Sequence, residues 1–203
     1  MHTITQYIES GILEQYVLGM VSDDDAVEVE KMAALNPEVL EEINRISSTL
    51  EAFDQAQGIA PHATVKPLFL ATIDYMQRLM GGEPPANPKI LNEETRISDF
   101  EEWINRSDMQ SPEEFEEIHV KLIAHTPQAT TAIVWIKSMA PHEVHHNEFE
   151  KFLILEGTCD IIVGEATYPL VAGNYFQIPL HEGHRVVVTS DIPCKVILQR
   201  VAA

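Results

Sequence analysis

The sequence predicts an α+β multidomain protein, a four-helix N-terminal domain followed by an all-β C-terminal barrel. Three observations carry this. Up to Gly81 the apolar residues recur at spacings of three and four, the period of a helix with one buried face. The stretch Glu83-Pro84-Pro85-Ala86-Asn87-Pro88 cannot continue a helix and has little apolar content. Beyond Ile97 the pattern becomes short β-rich runs divided by Gly, Pro and Asn turns, the signature of an antiparallel sandwich or barrel. The expected boundaries are a helical domain over 1–82, a semi-stiff extended linker over 83–96, and the barrel over 97–203.

The first helix is expected from Tyr7, Ile8, Ile12, Leu13, Tyr16 and Val17, ending at Gly19. Ser22 then caps a second helix, with Asp23, Asp24 and Asp25 in a first turn whose dipole favours acids. Ala26, Val29, Met32 and Ala33 or Leu35 form its apolar side, and Asn36 stops it. Asn36-Pro37 starts a third helix with proline at its first position and a stripe of Val39, Leu40, Ile43, Ile46, Leu50 and Phe53. The fourth runs from Val65 to Met80. Eight strand-like runs follow: 115–124, 132–138, 149–155, 160–163, 168–171, 175–178, 185–189 and 195–201, with Gly164-Glu165 as a hairpin turn.

Composition narrows the partners. The formal net charge is −19, with 16 acids against 6 bases in residues 1–96 and 16 against 7 in the rest. Such a field repels nucleic acid and anionic membrane and favours a basic protein, so no direct nucleic-acid contact is expected. No apolar run approaches the roughly 20 residues that cross a bilayer, and the N-terminus lacks a secretory pattern. A cytoplasmic location is expected. The two cysteines, Cys159 and Cys194, fall in strand-like runs and suit buried thiols, and there is no CxxC pair for a cysteine zinc cluster.

Five of the nine histidines, His142, His145, His146, His181 and His184, gather in one part of the C-terminal half with Glu143 and Glu150. Imidazoles and carboxylates on short rigid strands are what a borderline divalent metal needs. Glu143 and His145 share a strand face by the period-two rule, Glu150 opens the next strand, and His184 arrives from a distant one. The candidate ligands are therefore Glu143, His145, Glu150 and His184. His142, His146 and His181 are assigned to the surface or the surroundings of the site; His2, His62, His119 and His125 have no partners in sequence and are read as plain polar residues.

This region resembles the cupins, small double-stranded β-helix (jelly-roll) barrels. Glu143-Val144-His145, four residues, Glu150, six residues and Gly157 follow the first cupin motif, with Glu143 where a histidine usually stands. Gly173, Pro179 and His184 follow the second, with His181 at its last glycine and Val188 where an asparagine is expected. The resemblance implies a divalent metal, zinc first, with iron or manganese as alternatives.

The N-terminal third has its own resemblance. Leu13-x-x-Tyr16-x-Leu18-Gly19, then Ser22 with its acids, then a helix ending at Asn36-Pro37-Glu38, is similar to the helical domain of RskA-like anti-sigma factors. Followed by a cupin, the order resembles the ChrR-type anti-sigma factors, although Lys31 to Val39 lacks the His-x3-Cys-x2-Cys motif of the zinc-binding members. The implied function is transcription regulation, with a metal-binding cupin as sensor and the helical domain gripping a sigma factor through Leu13, Tyr16 and Val17. Two other readings stay open. One is a metal-dependent cupin dioxygenase or isomerase with a helical dimerisation extension. The other is a metal-free binding or oligomerisation module.

Overall fold

A computed structural model describes residues 3–203, so His2 lies outside the described residues. The chain divides into two compact units, Met1–Ala60 and Pro61–Ala203.

The first unit is helical. α1 spans Ile4–Ile8, its start fixed by a reciprocal box in which Thr3 accepts from the Gln6 amide and Gln6 answers to the Thr3 amide. α2 spans Ile12–Val17. The single first helix expected from periodicity is thus two, because Gly11 takes a left-handed φ of 80° that interrupts the helical backbone. α3 (Asp23–Leu35) starts at Ser22, whose hydroxyl accepts from the Asp25 amide, and ends at Asn36, as its caps predict. α4 (Pro37–Gln57) carries proline in its first turn. The core is Leu13, Val29, Val39 and Ile46, with Tyr7, Tyr16, Val17 and Leu50 packed around it. Leu13 is fully buried. Of the three residues expected to grip a partner, Leu13 is thus taken up by the unit's own core, while Tyr16 and Val17 pack against it half-buried. The stripe positions Leu35, Leu40 and Phe53 are instead exposed.

The expected fourth helix, α5 (Val65–Met80), belongs to the second unit. Ala71 and Tyr75 join the barrel's interior cluster, with Leu68 and Leu79 against it. Ion pairs fix the helix. Asp74 takes Lys121 Nζ at 2.8 Å and Arg78 Nε at 3.1 Å, and Arg78 also donates to the Leu122 carbonyl. Glu83 bridges Arg78 and Arg106 at 2.8 and 2.7 Å.

The stretch 83–96 is extended, as its prolines require, yet it is not a free linker. Leu91 is fully buried, and its amide donates to Gln199 Oε1 at 2.7 Å. Gln199, itself fully buried, donates in turn to the Lys89 carbonyl and to Thr131. A 3-10 turn (Ile97–Phe100), the short α6 (Glu101–Ile104) and a second turn (Ser107–Met109) continue over the same surface. Phe100, Trp103 and Met109 pack with Ile133, Trp135, Leu153 and Ile197. The strands beneath are apolar on both faces, so one face must be covered by chain from outside the barrel. That requirement recruits the few apolar residues of the segment.

Nine strands follow: β1 (Ile118–His125), β2 (Ala129–Ile136), β3 (Met139–Glu143), β4 (Glu148–Glu156), β5 (Thr158–Val163), β6 (Ala166–Val171), β7 (Tyr175–Gln177), β8 (His184–Val188) and β9 (Cys194–Ala202). They form two antiparallel sheets, ordered β1-β2-β9-β4-β7 and β3-β8-β5-β6. Inward residues of both sheets, among them Val134, Phe152, Ile161, Val186 and Val196, make the interior cluster. β3 is not among the eight apolar runs, since Pro141 and His142 interrupt its pattern, although Glu143 does lie on a strand as expected. Among the described residues no helix is long and apolar enough to cross a membrane.

Candidate metal centre and binding cavity

Strand register assembles the site. Glu143 at the end of β3 pairs across the sheet with His184 at the start of β8. Glu150 on β4 pairs with Arg200 on β9. His145 does not share a strand with Glu143 as expected, because β3 ends at Glu143 and His145 lies in the following turn. The turn still folds it back, with Nε2 3.5 Å from Glu143 Oε2.

Three of the four expected ligands converge. One ring nitrogen from each of His145 and His184 and one Glu150 oxygen all lie within 4.8 Å of one another. All three side chains are buried, Glu150 to 3% exposure. His184 Nε2 hydrogen-bonds Glu150 Oε2 at 2.8 Å. His145 Nε2 lies 3.2 Å from the same oxygen, close enough for charge attraction but not aligned as a hydrogen bond. Glu143 is not in that mutual set; its Oε2 takes Arg200 at 2.8 Å and lies 3.5 Å from His145 alone.

Arg200 was not anticipated. It sits in a strand run beside Gln199, and nothing in its sequence neighbourhood marks it for the site; only the β4–β9 register places it against Glu150 Oε1 at 3.2 Å. Burial works against its charge, but Glu150, Glu143 and Glu148 outweigh this and raise its pKa. Burial likewise pushes Glu150 toward the neutral acid, yet His145, His184 and Arg200 together hold its carboxyl well below the usual range. The Glu150 carboxylate in turn raises the pKa of His145 against the opposing effect of burial.

The donor set fits a divalent metal on the chain's own chemistry. His145 Nε2 and His184 Nδ1 are buried ring nitrogens with no hydrogen-bond partner. Each such orphan costs about 1–3 kcal/mol, a cost that ligation at His145 would remove. Two imidazoles and one carboxylate suit iron(II), manganese or zinc, and leave coordination positions open. A bound ion would polarise an oxygen atom of a ligand.

The remaining expected residues lie around this cluster. The His142 ring lies where a Cβ on residue 183 would stand, against Gly183. His146 and His181 face each other, Nδ1 to Nδ1 at 3.0 Å, on the exposed side. His181 holds a left-handed φ of 65°, and its amide donates to the His145 carbonyl at 2.8 Å, bracing the ligand's turn. His62, read from sequence as a bystander, lies 3.9 Å from Glu143 Oε1. His119 is half-buried against Trp135, with desolvation lowering its pKa. His125 bonds Thr130. Cys159 and Cys194 are both buried thiols.

Glu150 and His184 of the cluster also line a cavity of about 690 Å³ inside the second unit. Its walls are apolar, from Val120, Val134, Phe152 and Leu198 of the sheets and Tyr75 and Leu79 of α5; Glu143, Glu148, Glu150, His184 and Arg200 supply its charged end.

The cupin-domain family matches residues 133–199, the span from β2 to β9 that contains Glu143, His145, Glu150 and His184. The C-terminal region carries a cupin domain. No curated protein matches the chain significantly. Solved structures similar to it include the cupin domain of Cnp3 from Schizosaccharomyces pombe, at 12% identity over 44% of this chain and 67% of that one, with a TM-score of 0.42. KdgF from a Halomonas species shares 19% identity over 47% and 92%, with a TM-score of 0.41. A cupin superfamily protein of Desulfitobacterium hafniense shares 16% over 58% and 100%, with a TM-score of 0.42. The assignment of the cupin domain rests on the family match, not on these likenesses.

Proposed function

We propose that this protein is a regulator in which the cupin domain binds a divalent metal and a small ligand, and the helical unit grips a protein partner of the sigma-factor kind. The observation that carries the sensor half is the convergence of His145, Glu150 and His184, of which Glu150 and His184 also line the charged end of an apolar cavity. The partner half is supported by the resemblance of the helical segment to RskA-like domains and by its acidic composition, which suits a basic partner. Since Leu13 is occupied in the unit's own core, docking falls to the half-buried Tyr16 and Val17 together with the exposed Leu18, Met20, Leu35 and Phe53. Zinc, iron(II) and manganese are the candidate ions.

Co-purification of the full chain with the sigma factor encoded nearest its gene, with and without added metal, tests the reading. Retention that changes on metal removal supports it, and absence of binding in both states refutes the regulator.

The second reading is a metal-dependent cupin enzyme, a dioxygenase or an isomerase. The observation favouring it is the cavity itself, which places an apolar ligand against Glu150 and His184. Metal-dependent turnover that His145→Ala abolishes would establish it over the first.

A further inference from the structure

The apolar walls of the cavity restrict what can fill it. Apart from its charged end, few groups on its surface can hydrogen-bond water, and one side is built from α5 rather than from the strands. Thr72 and Met76 on that helix face the cavity although both are exposed residues. At the charged end, Glu143, Glu148 and Glu150 face the single guanidinium of Arg200. An anionic head group would meet an excess of negative charge, and a divalent ion would do no more than balance it.

We propose that the ligand is a small, largely hydrocarbon molecule with one uncharged oxygen-bearing end, of the alcohol or carbonyl class. Its oxygen sits beside Glu150, His184 and Arg200, and its apolar body lies between the sheets and α5. This rests on the reading of the barrel interior as a ligand site and names the ligand class that the site selects. Apolar burial then provides affinity, and the polar end sets orientation.

The test is calorimetric titration of the full chain with butan-1-ol, hexan-1-ol, octan-1-ol, sodium octanoate and glycerol, with Zn²⁺ titrated separately. Affinity should rise about 15-fold for each two methylenes added along the alcohols, the increment expected for full burial of the chain. Octanoate should bind more weakly than octan-1-ol, and glycerol should show no saturable binding. Met76→Glu and Thr72→Glu should each weaken octan-1-ol at least tenfold while leaving Zn²⁺ binding intact. Ile73→Glu, on the same helix but not lining the cavity, should change neither. A flat alcohol series, glycerol binding equal to that of hexan-1-ol, or tighter binding of octanoate overturns the ligand class. So does full affinity for octan-1-ol in both α5 variants. Graded alcohol binding without any Zn²⁺ binding supports this inference while refuting the metal centre. Zn²⁺ binding with a flat series does the reverse.

Discussion

Glu150→Gln removes one charge from the cluster with almost no change of volume, so it reads the electrostatics without a cavity contribution. In the metal-free protein the carboxylate accepts from His184 at 2.8 Å and Arg200 at 3.2 Å and lies 3.2 Å from His145. Removing one member of a buried ion pair costs about 3–5 kcal/mol, chiefly because the other member is left uncompensated. Here Arg200 keeps Glu143 at 2.8 Å and Glu148 at 3.5 Å, so the loss should fall at the low end, about 3 kcal/mol. For a unit of this size that corresponds to a fall of about 10 °C in Tm. The pH dependence follows from the depressed carboxyl. Its contribution is fully present above the unfolded value, near the ordinary 4.5, and is lost as pH falls through the lower folded value. His145, with its pKa raised above 6.5, contributes fully below that value and loses its share as pH rises through its folded value. The gap between wild type and Glu150→Gln should therefore be widest between about pH 4.5 and 6.5 and narrow on both sides. Urea denaturation of chelator-treated protein from pH 3 to 9 measures it. Equal stability of the two proteins across that interval would show that Glu150 is not an engaged carboxylate.

Other expected outcomes test separate parts of the argument. Divalent metal must displace a proton held at His145, so affinity measured by calorimetry should increase with pH through values above 6.5. His145→Ala and His184→Ala should each remove stoichiometric metal by elemental analysis; full retention in both would contradict the ligand set. At Gly157, φ is 73° and an added Cβ would come within 2.9 Å of the Pro193 carbonyl oxygen and 3.1 Å of Cys194 Cα. Gly157→Ala should therefore cost more than the roughly 1–2 kcal/mol of a left-handed alanine alone, as read from denaturant midpoints. Leu13→Asp should unfold the helical unit, whereas Met20→Asp should leave it folded by circular dichroism and lose partner binding. Glu83→Ala leaves Arg78 and Arg106 without their shared carboxylate and should speed amide exchange in α5 by about fivefold to tenfold, a loss of about 1 kcal/mol.

The sequence by itself determined the helix starts and stops wherever a cap carried the signal: Ser22, Asn36 with Pro37, and Gly81 all mark ends found in the structure. These are local effects, in which a side chain or a fixed φ acts on its own turn, so they are written within a few residues. The histidine and glutamate spacing located the candidate site for a related reason, since consecutive strands and their turns repeat at short intervals. What only the tertiary structure decided depends on distant pairing. Burial of a sheet on both faces turned an expected linker into a packed cover and drew α5 into the barrel unit. The β4–β9 register set Arg200 against Glu150 and left Glu143 in its grip instead of in the triad. Which side of α2 is interior depended on where α3 and α4 pack, so Leu13 of the expected docking stripe is core while Tyr16 and Val17 stay half-buried beside it. Periodicity shows that a face is apolar; only the three-dimensional arrangement shows what covers it.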